Sequence, residues 1–188
     1  MTVTTQPTTL PGLTPGTWAI DPAHSEVGFV VRHMMVSKVK GRFAKVDGTI
    51  TVAEDVLQSS VEATIDATSI DTRDENRDAH LRSGDFFEVE QYPNLTFRST
   101  GLRADGDDFV LDGDLTIRGT TRPVSLALEF NGTQPNPLAD GKPTAGFSAH
   151  TEISRKDFGL EWNVALETGG VLVADKIKIV LEIEAMAV

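Results

Sequence analysis

The sequence predicts an all-β protein, a closed antiparallel barrel of about eight strands with one short crossover helix. Three observations predict it. Apolar residues recur with a period of two almost everywhere, as in strands with two chemically distinct faces. Turn signals separate these runs and no alternation of strands with long helices intervenes, which leaves an antiparallel sandwich or barrel. The later strands carry apolar or small residues on both faces, as at Val180 between Ile179 and Leu181, so few positions suit a wet sheet face and closure is favoured.

Residues 1–16 are rich in Thr, Pro and Gly and carry no charge, which reads as a flexible arm ahead of a single domain over 17–188. Val27, Phe29 and Val31 then alternate with Glu26, Gly28, Val30 and Arg32, and similar runs lie near 43–53 and 57–66. Residues 72–91 break the pattern, with Thr72 as a candidate cap and Gly84 as a candidate stop for the crossover helix. Strands resume near 94–102 and 108–118, then at Val124, Leu126, Leu128 and Phe130, near 144–153, and at Ile177, Ile179, Leu181 and Ile183. Asp47-Gly48, Asp105-Gly106, Arg118-Gly119 and Asp140-Gly141 are the expected turns. Alternation places Phe29, Val31, Phe43, Ile50, Ile65, Phe97, Leu115, Ile117, Leu126, Leu128, Phe147, Ile153, Ile179 and Leu181 inside, and a slip of one residue would invert a strand's whole set.

The 17 Lys and Arg against 28 Asp and Glu give a formal charge of −11. A surface this acidic repels phosphate backbones, which argues against general nucleic-acid binding unless basic residues cluster locally, and it disfavours docking on anionic lipid in the same way. The absence of cysteine excludes disulfides, zinc–thiolate sites, iron–sulfur clusters and a cysteine nucleophile. No apolar run approaches the roughly 20 residues of a membrane-spanning helix. The first residues lack the basic and apolar regions of a secretory signal, so the expected compartment is the cytoplasm, or the periplasm or exterior for a chain whose signal has been removed.

The histidines His24, His33, His80 and His150 follow no metal-ligand spacing. A site built from His24, Asp78, His80 and Asp85 requires tertiary folding, and a lone strand histidine is more often a hydrogen-bonded structural residue. No Gly-x-Ser-x-Gly elbow, dinucleotide fingerprint or phosphate loop is present, and no cofactor is implied. One charge feature is specific. Between Val27 and Val46 there is no acidic residue, while Arg32, Lys38, Lys40, Arg42 and Lys45 fall there beside His33. That is either a local site for a phosphate- or carboxylate-bearing group or a basic hairpin offsetting the acidic stretch at 71–90. Met34, Met35 and Val36 beside it read as a portal lip for a hydrocarbon chain or as core. The small residues Gly28, Gly48, Ala63, Gly113, Ser125, Ala127, Ala145 and Ala149 leave room for an apolar ligand in the barrel, or else serve tight strand packing.

Six segments come in a telling order: Asp21-Pro-Ala-His-Ser, Lys38-Val-Lys-Gly-Arg-Phe, Arg77-Asp-Ala-His-Leu with Asp85-Phe-Phe and Tyr92-Pro, Phe97-Arg-Ser, Gly113-Asp-Leu-Thr-Ile-Arg-Gly with Pro123-Val, and Arg155-Lys-Asp-Phe-Gly-Leu. With them the chain resembles the YceI-like family of polyisoprenoid-binding, lipocalin-like proteins from about Trp18 to Glu184. The resemblance implies an extended eight-stranded antiparallel barrel, an apolar tunnel for a long isoprenoid or similar amphipathic lipid, and a homodimer. The expected ligand contacts are Phe29, Val31, Phe43, Phe97, Leu115, Ile117, Leu126, Leu128, Phe147, Ile153, Ile179 and Leu181 along the tunnel, with His24, Arg32, His33, Arg42, His80, Phe86 and Trp162 besides. The polar end of the lipid is expected at a mouth formed by the 32–42 turn and the 72–91 crossover. Asp21, Arg77, Asp78 and His80 are a candidate polar network pinning that crossover. The leading expectation is a non-catalytic carrier or sequestering protein. Its alternatives are an acid–base or metal-dependent enzyme acting on a small hydrophobic substrate through His24, His80 and Asp78, and an interaction domain whose tunnel is filled by side chains.

Overall fold

Eleven strand segments and one helix form the fold in a computed structural model that describes residues 6–188. They run β1 (Gly16–Ile20), β2 (Glu26–His33), β3 (Ser37–Phe43), β4 (Val46–Val52), β5 (Ser60–Asp66), β6 (Ile70–Asp71), α1 (Glu75–Arg82), β7 (Asn94–Asp105), β8 (Asp108–Ile117), β9 (Thr120–Pro135), β10 (Pro143–Ser154) and β11 (Val173–Ala187). The segments make a closed antiparallel barrel of 8 strands. The two numbers agree because β1 and β2 lie end to end along one edge of β11, with Trp18 opposite Ala187 and Phe29 opposite Ile179. β3 and β4 are likewise the two halves of one long strand beside them. β6 only extends the far edge of β3, at Arg42 and Phe43. The edge of β3 over Ser37–Gly41 therefore has no strand partner there.

Three local expectations are corrected. Lys38–Phe43, expected in a turn, is strand β3, and the reversal sits earlier, where Val36 N–H donates to His33 O at 3.1 Å. Its central residues Met34 (φ 49°) and Met35 (φ 63°) both adopt the left-handed backbone of a type I′ turn, a shape that suits Asn-Gly and costs other residues roughly 1–2 kcal/mol each. Asp47-Gly48 is not a turn but the interior of β4. A Cβ on Gly48 would lie 2.6 Å from the Ile20 side chain and 2.7 Å from Glu62 O, so neighbouring strands occupy the space a side chain needs. Helix α1 is capped by Asp74, whose carboxylate accepts from Arg77 N–H at 2.9 Å, and it ends at Ser83. Thr72 instead donates its N–H and hydroxyl to the buried Asp78 carboxylate.

The crossover covers the open side of the barrel beside β3. Its helix has almost no apolar face, so polar contacts hold it. Arg77 donates to Thr72, Arg82 to the carbonyls of Thr68 and Ile70, and Arg118, on the turn after β8, to Phe86 O and Glu88. Asp21 lies outside this network and pairs with His24 instead. Of the arm expected over 1–16, residues 1–5 lie outside the described residues and part of the rest is docked. Thr8 donates to Asp55 and accepts from Val56 N–H, Thr133 donates to Pro11 O, and Leu13 is buried. Leu10 and Leu13 give this segment apolar surface to bury. Among the described residues no helix is long and apolar enough to cross a membrane.

Candidate functional site

Alternation along the strands sends one side-chain row of each inward, and these rows do not meet. They enclose a cavity of about 270 Å³, near the lower end of the 300–1,000 Å³ usual for small-molecule sites. Ser59, Thr151 and Arg155 are the only polar side chains among its lining residues. Every residue expected inside by alternation lines it. Phe29, Phe97, Leu128, Phe147, Ile179 and Leu181 are only half-buried because they face this space, where an ordinary core residue would meet a neighbour. Leu10, Leu13 and Val56 line one end of the cavity, and Leu81, Phe86, Phe87, Phe158 and Leu160 line the other.

The small residues divide. Gly28, Ala63 and Ala149 lie on the cavity wall, whereas the space beside Gly113 is filled by the Phe97 ring, 2.3 Å from where a Cβ would sit. Ser125 and Ala127 face outward. Ser125 donates to Asp112, whose carboxyl is held down at about 2 by the Arg103 guanidinium and this hydroxyl.

Of the expected ligand contacts, Phe29, Val31, Phe43, Phe86, Phe97, Leu115, Ile117, Leu126, Leu128, Phe147, Ile153, Ile179 and Leu181 line this one cavity. His24, Arg32, His33, Arg42, His80 and Trp162 are not part of it. Arg32 and Arg42 are exposed on the outer face of the β2–β3 hairpin, and Arg42 pairs with Asp71 at 3.5 Å. His33 sits at the end of β2, beyond Val31. His80 joins Asp85 at 2.8 Å and stands edge-on to Phe86 and Trp162, with ring centroids at 5.1 and 4.6 Å, so it ties α1 to the segment after Phe158.

His24 lies in the break between β1 and β2. Asp21 N–H and Ser25 Oγ both donate to Glu184 O, which fixes the break against β11. His24 Nδ1 is 2.7 Å from Asp21 Oδ2, and Asp21, His24 and Glu184 offer ligand atoms within 4.8 Å of one another, the only such metal-capable group among the described residues. Glu184 escaped the sequence reading because only the pairing of distant strands brings it there. The Asp21 carboxylate raises the His24 pKa above its ordinary 6.5 and is itself lowered by the imidazole. A raised histidine stabilises the fold fully below about 6.5 and loses that contribution as pH rises through its folded value. Asp21→Asn is expected to return the His24 titration toward 6.5, as followed by the imidazole proton resonances. An unmoved titration would break the link to Asp21.

Arg155 is the one charged residue of the lining, and its place there was not foreseen from the sequence. It is buried, and its guanidinium donates to the carbonyls of Ala174, Leu160, Trp162 and Val173. Burial lowers its pKa from the ordinary arginine value. With its donors turned on backbone, Arg155 clamps the 155–174 segment across the barrel end. His24, His80 and Asp78 keep separate partners in Asp21, Asp85 and Thr72, so no acid–base pair forms among them.

Comparison with known proteins agrees with this geometry. The YceI-like domain model matches residues 18–185. UPF0312 proteins of Staphylococcus epidermidis and Staphylococcus aureus are 40% and 39% identical, over 84% and 86% of this chain and 90% and 92% of theirs. Among solved structures, the Campylobacter jejuni YceI protein superposes with a TM-score of 0.71 at 31% identity, covering 89% of this chain and 96% of that one. BcnA of Burkholderia cenocepacia gives 0.71 at 25% identity, covering 88% and 98%. A polyisoprenoid binding domain from Saccharophagus degradans shares the fold, with a TM-score of 0.69 at 17% identity over 91% and 98%. A barrel closed from Trp18 onward, an apolar interior and a family match over the same span have one common account: this chain belongs to the YceI-like domain family.

Proposed function

We propose that this protein carries or sequesters an amphipathic lipid with a long isoprenoid-like tail, a polyisoprenoid with or without a terminal pyrophosphate, without chemically changing it. The observation that carries the reading is the cavity inside the barrel, lined almost wholly by aliphatic and aromatic side chains. Each buried CH₂ contributes roughly 0.8 kcal/mol, so ten give about 8 kcal/mol before the entropy of association. The Saccharophagus degradans domain, described as polyisoprenoid binding, supports the ligand class at the level of fold. A charged head would lose several kcal/mol of hydration inside such a lining, so the tail enters and the head stays at the rim between the β2–β3 hairpin and the crossover, near Arg42 and His80. The non-catalytic reading is supported by the separation of His24, His80 and Asp78. We propose a homodimer as the working assembly, which sedimentation velocity tests.

Native mass spectrometry of freshly purified protein, followed by organic extraction, tests the function. A co-purified long-chain lipid is the expected result. A protein that carries no lipid and takes up no polyprenol from micelles overturns the reading.

A further inference from the structure

The β2–β3 hairpin ends in an unusual way. Met34, Met35 and Val36 stand 46%, 51% and 82% exposed at its tip. That excludes a core role and leaves three consecutive large apolar residues in water at a place where polar turn residues are the rule. The first two occupy the left-handed positions of the turn, where Asn-Gly would be relaxed. A turn that is both strained and apolar is a poor choice for stability alone. It is also braced, since Met34 N–H donates to Leu172 O and Leu172 N–H to Val164 O. Val164 and Val171 on that neighbouring segment are exposed as well, so the apolar surface continues past the tip.

Charge sits beside this surface. Arg32 and Lys38 are partners across the hairpin, one step from the tip. Lys40 and Lys178 flank Val30 from its two neighbouring strands. All four are exposed, and none forms an ion pair among the described residues. The whole chain is acidic, yet the tip is apolar with Arg32 and Lys38 directly behind it, and only farther along the barrel do acids join the face, Glu152 opposite Lys178 and Glu26 and Glu182 near Lys40. Such a combination fits one partner chemistry: an anionic bilayer, whose headgroups meet lysine and arginine while the tip enters the boundary of the acyl chains.

We propose that the β2–β3 hairpin tip docks this protein on anionic membranes, so that lipid passes between bilayer and cavity at that end of the barrel. The exchange rests on the carrier reading above. The docking itself does not depend on what fills the cavity. Each Lys or Arg held near an anionic surface strengthens binding roughly fivefold, and salt weakens it.

Flotation with phosphatidylcholine vesicles containing phosphatidylglycerol tests the proposal, beside uptake of polyprenol from detergent micelles. Wild type is expected to float with these vesicles at low salt and to be released as salt rises. Met34→Asn with Met35→Gly places relaxed turn residues at the tip, so the variant is expected to fold with a raised Tm while its vesicle binding falls about tenfold or more. Arg32→Glu with Lys38→Glu is expected to lose the preference for anionic over pure phosphatidylcholine vesicles. Wild type that does not bind the anionic vesicles, or a tip variant that binds them as well as wild type, overturns the docking and leaves the cations as guards of the unpaired β3 edge. Loss of micellar uptake in wild type, with flotation intact, strikes the carrier reading alone.

Discussion

Ala149→Trp is expected to abolish uptake of a long-chain lipid while the barrel still folds, and Ala127→Trp is expected to leave uptake unchanged. Ala149 is buried on the cavity wall, packed with Leu111 and Leu126, and its register partners Leu128 and Leu181 line the same space. An indole projecting from that position occupies the path of the tail. Excluding about five CH₂ groups forfeits about 4 kcal/mol, close to a thousandfold in Kd. Overpacking costs roughly 1–3 kcal/mol of stability, so the variant melts earlier without unfolding. Ala127 is exposed on the outer face of β9 and serves as the control. Titration with a fluorescent polyprenol analogue, with circular dichroism to confirm folding, reads both variants. Equal binding by the two would remove the tail from this stretch of the barrel.

Arg155→Met is the second large effect, and it falls on stability. The substitution keeps a long unbranched side chain but takes the guanidinium donor from the carbonyls of Leu160, Trp162 and Ala174, while Val173 O keeps the amide of Asn163 at 2.8 Å. A buried polar group without a partner costs roughly 1–3 kcal/mol, and water reaches some of these carbonyls once the segment loosens, so the expected loss is about 3 kcal/mol. Urea unfolding should show a lower midpoint with an unchanged slope. Arg155→Lys is expected to recover only part of it, because one ammonium lacks the planar fork that spans several acceptors. A loss below about 1 kcal/mol in Arg155→Met would mean that the segment is held by other contacts.

Period-two alternation is a local property, and it carried the barrel interior. Phe97, Leu115, Leu126 and Ile179 face inward because their neighbours on either side in sequence face outward, and no knowledge of strand pairing is needed to see it. What escaped depends on distant residues. Lys38–Phe43, expected in a turn, is a strand in which Lys38, Lys40 and Arg42 alternate with only Val39, Gly41 and Phe43. The Phe29 ring reaches within 2.2 Å of the Cβ position that Gly41 lacks, and so supplies from β2 the apolar body missing from β3. Thr72, the expected cap, is engaged by the buried Asp78 carboxylate, and Asp74 caps the helix in its place. Arg155 bonds only to main-chain carbonyls, which leave no trace in residue identity. Glu184 meets His24 through the seating of the β1–β2 break on β11. The outward positions of Arg32 and Arg42 follow from the same alternation that places Phe29 and Val31 inside, so a basic segment and an apolar lining on one hairpin had to face opposite ways.

The docked N-terminal segment makes the barrel a vessel stoppered at one end, where Leu10 and Leu13 close against Val56. A container with one neck imposes an order on its contents. In the carriage proposed above, the tail that goes in first comes out last, and cargo leaves head foremost. An acceptor then meets the polar group while the hydrocarbon is still sheathed, and withdrawal can proceed segment by segment as each length passes into the receiving phase. Little of the chain crosses water at any moment. Loosening the stopper, as deletion of residues 1–13 would, opens a rear vent and removes that polarity, so delivery would become leakage in both directions.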